Sequence, residues 1–399
     1  MSHSLISPPT HGTKGMVDLL ERAIELVESG TKNAGRLFAR LGRFASMDEG
    51  DVVRADEATE LARKIGVELG DAEIELSAYD AYLGIDFLQW RPEEAMRRLK
   101  RANEVLDLVD NPSARHSALE VIGHTYLTAG QLNEAEATYS KSLFVAEQLR
   151  DRVLTEWSLG NLMLCAGQRG DWARLDELTD HPVALDSVEW RLLMPRLYAE
   201  CQRGHEDQAL ATLALLEAIA TGGVLETGSG RLQVVRGLGL DLDMSGFVEA
   251  QEENYQNLKL ELAPRMSYMR NAAIKMVWDG DLTGARVLYG DLTPSSGWFN
   301  YHGREVCDRN LGYLAWKIGE PEFANRHYQH AIDFCRSNGF TVEQAWCCAE
   351  FAEFLLERDD PGDSDKVTEF QDEAIAIATE LGMQPLLERV LAQREILKA

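Results

Sequence analysis

Two well-separated stretches of this chain carry the same pattern of large, small and aromatic residues. That pattern limits the fold more than any other feature. Residues 116–149 place Leu119, Ile122, Gly123, Tyr126, Gly130, Ala135 and Tyr139 at offsets 4, 7, 8, 11, 15, 20 and 24 of a 34-residue unit. Residues 305–338 place Leu311, Gly312, Gly319, Ala324, Tyr328 and Ala331 at offsets 7, 8, 15, 20, 24 and 27. A third copy, 266–299, puts Met269, Ala273, Gly280, Ala285 and Tyr289 at corresponding places. Spacings of three and four set Leu119, Ile122 and Tyr126 on one helical face. Gly123 lets a second helix approach closely, with Ala135 as its small counterpart. Gly130 supplies the left-handed backbone that ends the first helix, and Asn133 is placed to cap the second. Each unit is then two antiparallel helices whose apolar faces are buried only when units stack.

These units resemble the tetratricopeptide repeat at nearly every signature position. Weaker copies follow the same scheme around Ala95, Ala173, Ala209 and Ala250. Together with Ala135, Ala285 and Ala324 these alanines recur at an average spacing of about 38 residues, longer than a strict unit, so the turns between helices vary in length. The expected fold is all-α: a right-handed superhelical solenoid of antiparallel helix pairs, about 8–9 of them. Residues 1–15, with Pro8-Pro9 and scattered Gly and Ser, read as a flexible lead-in. The array is expected over 16–381, with candidate hinges at Thr221–Gly230 and Leu292–Gly303. A capping helix follows over 382–399, turning Leu387, Val390, Leu391 and Ile396 inward. No stretch alternates long enough to read as a strand.

The C-terminal part, from the helix at 341–357 through Phe370–Ala378 and Pro385–Val390, resembles the end of the repeat arms of large bacterial signalling proteins. These are LuxR-type ATP-binding regulators similar to the maltose regulator, and class III nucleotide cyclases that carry an ATPase module. The resemblance implies an arm that senses a ligand or partner and controls an attached effector. No phosphate-binding loop, cyclase pattern or DNA-recognition helix is present, so hydrolysis, cyclisation and DNA binding do not transfer.

Charge narrows the partners. Against 40 Lys and Arg stand 66 Asp and Glu, a formal net charge of −26. Such an excess disfavours non-specific contact with nucleic acid or anionic membrane. Residues 97–101, Arg-Arg-Leu-Lys-Arg, are the densest basic run and read as a solvated helix face rather than a phosphate contact. Cys165, Cys201, Cys307, Cys335, Cys347 and Cys348 fall within apolar helical patterns without C-x-x-C spacing, which reads as core packing in a reducing compartment. With no secretory h-region and no long apolar run, the expected location is a bacterial cytoplasm.

For the candidate site, the resemblance implies a concave face lined by first-helix offsets 2, 5, 9, 12 and 13. These fall on Val306, Arg309, Tyr313, Trp316 and Lys317 in one copy, and on Ser267, Arg270, Ile274, Val277 and Trp278 in another. Arg270 and Arg309 share an offset on neighbouring repeats. They can clamp a carboxylate or acidic peptide, with Trp278, Tyr313 and Trp316 as anchors. The alternative is ordinary arginines and packing aromatics. His327 and His330, with His302 upstream, have a spacing that can serve a metal, but no ligand set completes them, so neither metal nor cofactor is expected. No catalytic constellation stands out. The leading expectation is a non-enzymatic interaction or scaffold arm. The alternatives are a sensor that binds a peptide or small molecule in the groove, and an α/α-toroid enzyme acting on carbohydrate.

Overall fold

A computed structural model describes residues 15–46, 50–219, 225–257 and 262–398. The chain is an all-α protein of stacked antiparallel helix pairs, and it divides into two compact units. The first comprises residues 1–158 and 257–265, the second residues 159–256 and 266–399. Residues 1–14 of the expected lead-in lie outside the described residues.

The first unit contains α1 (Met16–Glu25), α2 (Lys32–Phe44), α3 (Val52–Leu69), α4 (Ala72–Leu88), α5 (Pro92–Leu106), α6 (Pro112–Thr128), α7 (Leu132–Leu149) and the start of α8 (Arg152–Arg169). Its helices pack on near neighbours in sequence: α2 on α3 and α4, α4 on α5 and α6, α6 on α7. The small-residue code works as the spacing implies. A Cβ on Gly123 would sit 2.4 Å from the Tyr139 ring, so only glycine lets α6 and α7 meet at that point. Gly130, Gly280 and Gly319 take φ values of 80°, 82° and 80° at equivalent turns. One expectation fails locally: α7 starts at Leu132 with Gln131 at its N-cap, so Asn133 already lies inside the helix. In the basic run, Arg97 pairs with Glu94, Arg98 with Asp86, and Arg101 with Glu75 and Glu104.

The second unit continues with α9 (Trp172–Thr179), α10 (Pro182–Leu185), α11 (Trp190–Arg203), α12 (Glu206–Ile219), α13 (Leu225–Leu238), α14 (Phe247–Asn257), α15 (Leu262–Asp279) and α16 (Leu282–Leu292). It ends with α17 (Cys307–Lys317), α18 (Pro321–Asn338), α19 (Thr341–Arg358), α20 (Asp363–Leu381) and α21 (Gln384–Lys398). Its late helices return to its early ones. α21 packs on α11 and α13 as well as on α20. Trp172 Nε1 donates to the Leu381 carbonyl at 2.7 Å, and Trp346 Nε1 donates to Gln202 Oε1 at 2.6 Å. Gly170, at φ 78°, lies where a Cβ would be 2.5 Å from Leu381.

Of the two candidate hinge segments, the first is described only from residue 225 onward. Residues 220–224 lie outside the described residues, and 225–230 are the first turns of α13. The 292–303 segment is packed rather than loose. After a 3-10 turn at Thr293–Ser295, β1 (Phe299–Asn300) pairs antiparallel with β2 (Glu305–Val306), and Phe299 and Val306 are fully buried. Two-residue strands are too short to alternate visibly, which is why the pattern of the chain did not announce them. At the C-terminus, Val390 turns inward as expected, but its buried companions are Met383 and Leu386. Leu387 is half-buried and Leu391 is exposed, while the side chain of Ile396 lies outside the described residues. All six cysteines are buried, and none is in a disulfide. Burial pushes the Cys307 thiol up to about 12 and also raises Cys201 and Cys348, which leaves them as packing groups.

Candidate functional site

Arg309 stands on α17 with its side chain pointing to α19, where Glu343 and Glu350, seven residues apart, share a helical face. Its Nη1 donates to Glu343 at 2.9 Å, while Nη2 and Nε donate to the two oxygens of Glu350 at 2.8 and 3.2 Å. Arg236 of α13 approaches from the other side. It donates to Glu350 at 3.0 Å and to Asn310 Oδ1 at 2.9 Å, and it lies 3.5 Å from Glu305. The hairpin places Glu305 against Arg270 of α15, and these two form an ion pair. Arg270 donates in addition to Asn271 Oδ1 and to the Gly303 carbonyl. Glu343 also accepts from the Val306 amide at 3.2 Å. Three arginines and three glutamates therefore form one continuous network inside the second unit.

Removing charges from water costs several kcal/mol per ion unless partners and hydrogen bonds compensate. Burial and pairing together shift the ionisation of Glu350, Glu343 and Arg309. Burial opposes the Glu350 carboxylate, but Arg309, Arg236 and Arg389 outweigh it and hold its pKa down to about 2. Glu343 goes the other way: burial raises its pKa, with Glu350 adding to the rise and Arg309 opposing it. For Arg309, burial is outweighed by Glu350 and Glu343, which lift its pKa well above the usual value.

Above this charged floor opens a cleft of about 710 Å³. Trp278, Tyr313 and Trp346 line its walls, with Glu353, Glu388 and Arg389 among its polar residues. Trp278 Nε1 donates to the Tyr313 hydroxyl at 2.9 Å, and Arg389 clasps Glu353 through two 2.7 Å bonds. Beneath it a cavity of about 40 Å³ is lined by Ile274, Arg270 and Arg309 along with Arg236. That cavity is large enough for bound water but not for a side chain.

Seven of the ten residues picked out by repeat offset separate into three groups. Arg270, Ile274 and Arg309 lie in the floor. Trp278 and Tyr313 form the walls. Trp316 and Lys317 stand to one side: Lys317 Nζ lies 3.2 Å above the Trp316 ring and 3.2 Å from Glu357. The free arginine clamp needs correcting. Both guanidinium groups are buried, and the carboxylates they hold belong to the chain itself. The offset scheme omitted Arg236, Glu305, Glu343, Glu350, Trp346 and Arg389. A signal for one of these was available, because Glu343 follows Arg309 by 34 residues, one strict repeat.

Two constellations with catalytic or metal-binding residue types have other wiring. His327 contacts Asp308 through Nδ1 at 2.6 Å and the Tyr289 hydroxyl through Nε2 at 3.2 Å, so both ring nitrogens are engaged, while His330 is exposed. In the first unit, His116 Nε2 lies 3.3 Å from Ser158 Oγ, but Glu120 accepts from Ser158 and approaches that same nitrogen. A nucleophilic triad requires the acid on the opposite ring nitrogen. Among the described residues, no group of three or more His, Cys, Asp or Glu could hold a metal ion, and no helix is long and apolar enough to cross a membrane.

The chain matches no protein-family model and no curated protein. Among solved structures it is similar to the APC/C hetero-tetramer Cut9–Hcn1, at 14% identity and TM-score 0.36, over 95% of this chain and 93% of that one. It is also similar to the TPR domain of P58(IPK), at 16% identity and TM-score 0.22, over 90% of this chain and 99% of that one. A third is a circular tandem repeat protein, at 16% identity and TM-score 0.15, over 96% and 88%. These similarities do not extend beyond the helical-repeat character already evident in the helix pairs.

Proposed function

We propose that this chain is a non-enzymatic interaction arm of a bacterial signalling or transcription-regulatory system, acting in the cytoplasm. In this reading its second unit receives a segment of a partner protein in the cleft walled by Trp278, Tyr313 and Trp346. The observation that carries the reading is the cleft itself. At about 710 Å³ it falls within the usual range for ligand pockets, and its walls are aromatic. Its floor is locked by buried ion pairs, so little ordering is needed on binding. The same volume supports a second reading, a sensor for a peptide or small molecule.

The test is titration calorimetry against the products of neighbouring genes and against a peptide panel, using the wild-type chain and Trp278→Ala. Trp278 is 38% exposed, so its loss should leave the fold intact and weaken partner binding about tenfold or more. Unchanged affinity in the variant would remove the cleft from the interface. The sensor reading predicts a thermal shift with a small ligand alone, worth about 2.7 kcal/mol at 100 times its dissociation constant.

A further inference from the structure

In the cleft of the second unit, the charges left over after pairing are carboxylates, not arginines. Glu206, Glu350, Glu353 and Glu388 line it, against Arg236 and Arg389. Both arginines are committed, Arg236 to Glu350 and Arg389 to Glu353. Glu206, in the first turn of α12, and Glu388, on α21, are exposed. Glu388 accepts from Gln384 of its own helix at 2.6 Å. Neither carboxylate has a cationic partner among the described residues. The start of α12 and the start of α21 adjoin: a Cβ on Gly204, just before Glu206, would lie 3.3 Å from Pro385. The cleft therefore carries a surplus of two negative charges.

The aromatic walls show what the paired carboxylates are matched with. Arg236 Cζ lies 5.6 Å from the centre of the Tyr313 ring, and the same side chain donates to Glu350. Arg309 Cζ lies 5.0 Å from the centre of the Trp346 ring and also donates to Glu350. Arg389 Cζ lies 5.7 Å from that ring and holds Glu353. In all three, a guanidinium sits over an aromatic face and is bonded to a carboxylate of α19, so cation–π attraction and a charge-assisted hydrogen bond act on one group. Trp278 is the remaining aromatic wall. It is exposed, and among the described residues no cation lies over its ring. We propose that the cleft binds a guanidinium group, laid on Trp278 and bonded to Glu206 or Glu388. This rests on the reading of the cleft as a binding site and names the chemistry of what enters it, an arginine side chain of the partner segment or a free guanidine. A guanidinium suits the site better than an ammonium, because its planar face stacks on a ring while its edge reaches a carboxylate. The surplus negative charge opposes an acidic ligand, and the net charge of −26 draws cations towards the chain.

The experiment is titration calorimetry on the full chain with N-acetyl-arginine amide, butylguanidine and N-acetyl-citrulline amide, the last a neutral look-alike of the first. Both guanidines should bind, and the citrulline probe should bind about tenfold or more weakly than its arginine counterpart. Glu206→Gln combined with Glu388→Gln should erase that preference, and Trp278→Ala should weaken both guanidines. All three positions are exposed, so unchanged melting temperatures will show that the variants are folded. Added salt should weaken the guanidines and leave the citrulline probe nearly unaltered. Tighter binding of the arginine amide assigns the group to a partner's side chain, and tighter binding of butylguanidine assigns it to a free guanidine. The proposal is overturned if neither guanidine binds at millimolar concentration, if the citrulline probe binds equally well, or if the carboxylate double variant keeps the preference. A partner bound alike by the wild type and the double variant, but lost with Trp278→Ala, would overturn the guanidinium and keep the cleft as the interface.

Discussion

The two units are both built of helix pairs but place the charges of their helices differently. In the first, the charges of α2 and α4 form a ladder of partly exposed pairs along an open groove. In the second, α21 returns to α11 and α13, and the arginines of the corresponding helices become the buried floor of a cleft. An arginine on such a helix thus stays exposed or becomes a structural group depending on whether other helices cover it. Covered, it must be fully paired, because an uncompensated buried charge is costly.

The contrast can be broken most directly by removing one carboxylate from each unit. Glu350→Ala strands Arg309 and Arg236 in the interior and should cost about 3–5 kcal/mol in urea denaturation. Glu73→Ala, whose pair with Arg36 is half exposed, should cost less than about 1 kcal/mol. Equal losses would mean that the two networks are not different in kind.

Acid titration should show the next largest effect. The Glu350 pKa falls from an ordinary 4.5 to about 2 on folding, so its contribution is complete above pH 4.5 and is lost as pH falls towards 2. The difference amounts to about 3 kcal/mol. Glu343, whose pKa burial raises, works in the opposite sense and offsets part of the loss. Melting temperatures of wild type and Glu350→Gln between pH 6 and 2 (about one step per half unit) should converge as the pH drops.

The smallest effect concerns the repeat code itself. A Cβ at Gly123 would lie 2.4 Å from the Tyr139 ring, whereas at Gly312 it would lie 3.1 Å from Tyr328. Gly123→Ala should therefore lose about 1–3 kcal/mol through overpacking and Gly312→Ala less. Calorimetric melting of the two variants would rank them, and a reversed order would show that the second unit carries the tighter copy.

Much of the helix pairing was legible in the chain because it depends on local spacing. The left-handed glycines at 130, 280 and 319 could be placed from offsets alone, and so could the close approach at Gly123, although the ring it meets, Tyr139, was not the expected counterpart Ala135. The site was legible in part. Arg270, Ile274, Trp278, Arg309 and Tyr313 do lie around one cleft and its floor, since a shared offset puts residues on a shared face. Their partners were not legible. Arg236 reaches Glu350 across 114 positions, and Trp346 reaches Gln202 across 144. Glu305 is placed by a hairpin too short to leave a periodic trace.

By itself the sequence determined the helix pairs, their small-residue contacts and their turns, because these are set by side chains within one repeat length of each other. Only the tertiary structure decided which arginines are buried. In the second unit Arg309 of α17 shares Glu350 of α19 with Arg236 of α13, which lies 114 positions before that glutamate, and no local pattern encodes that meeting. In the second unit Arg270 and Arg309 are buried against Glu305 and Glu350 of their own chain.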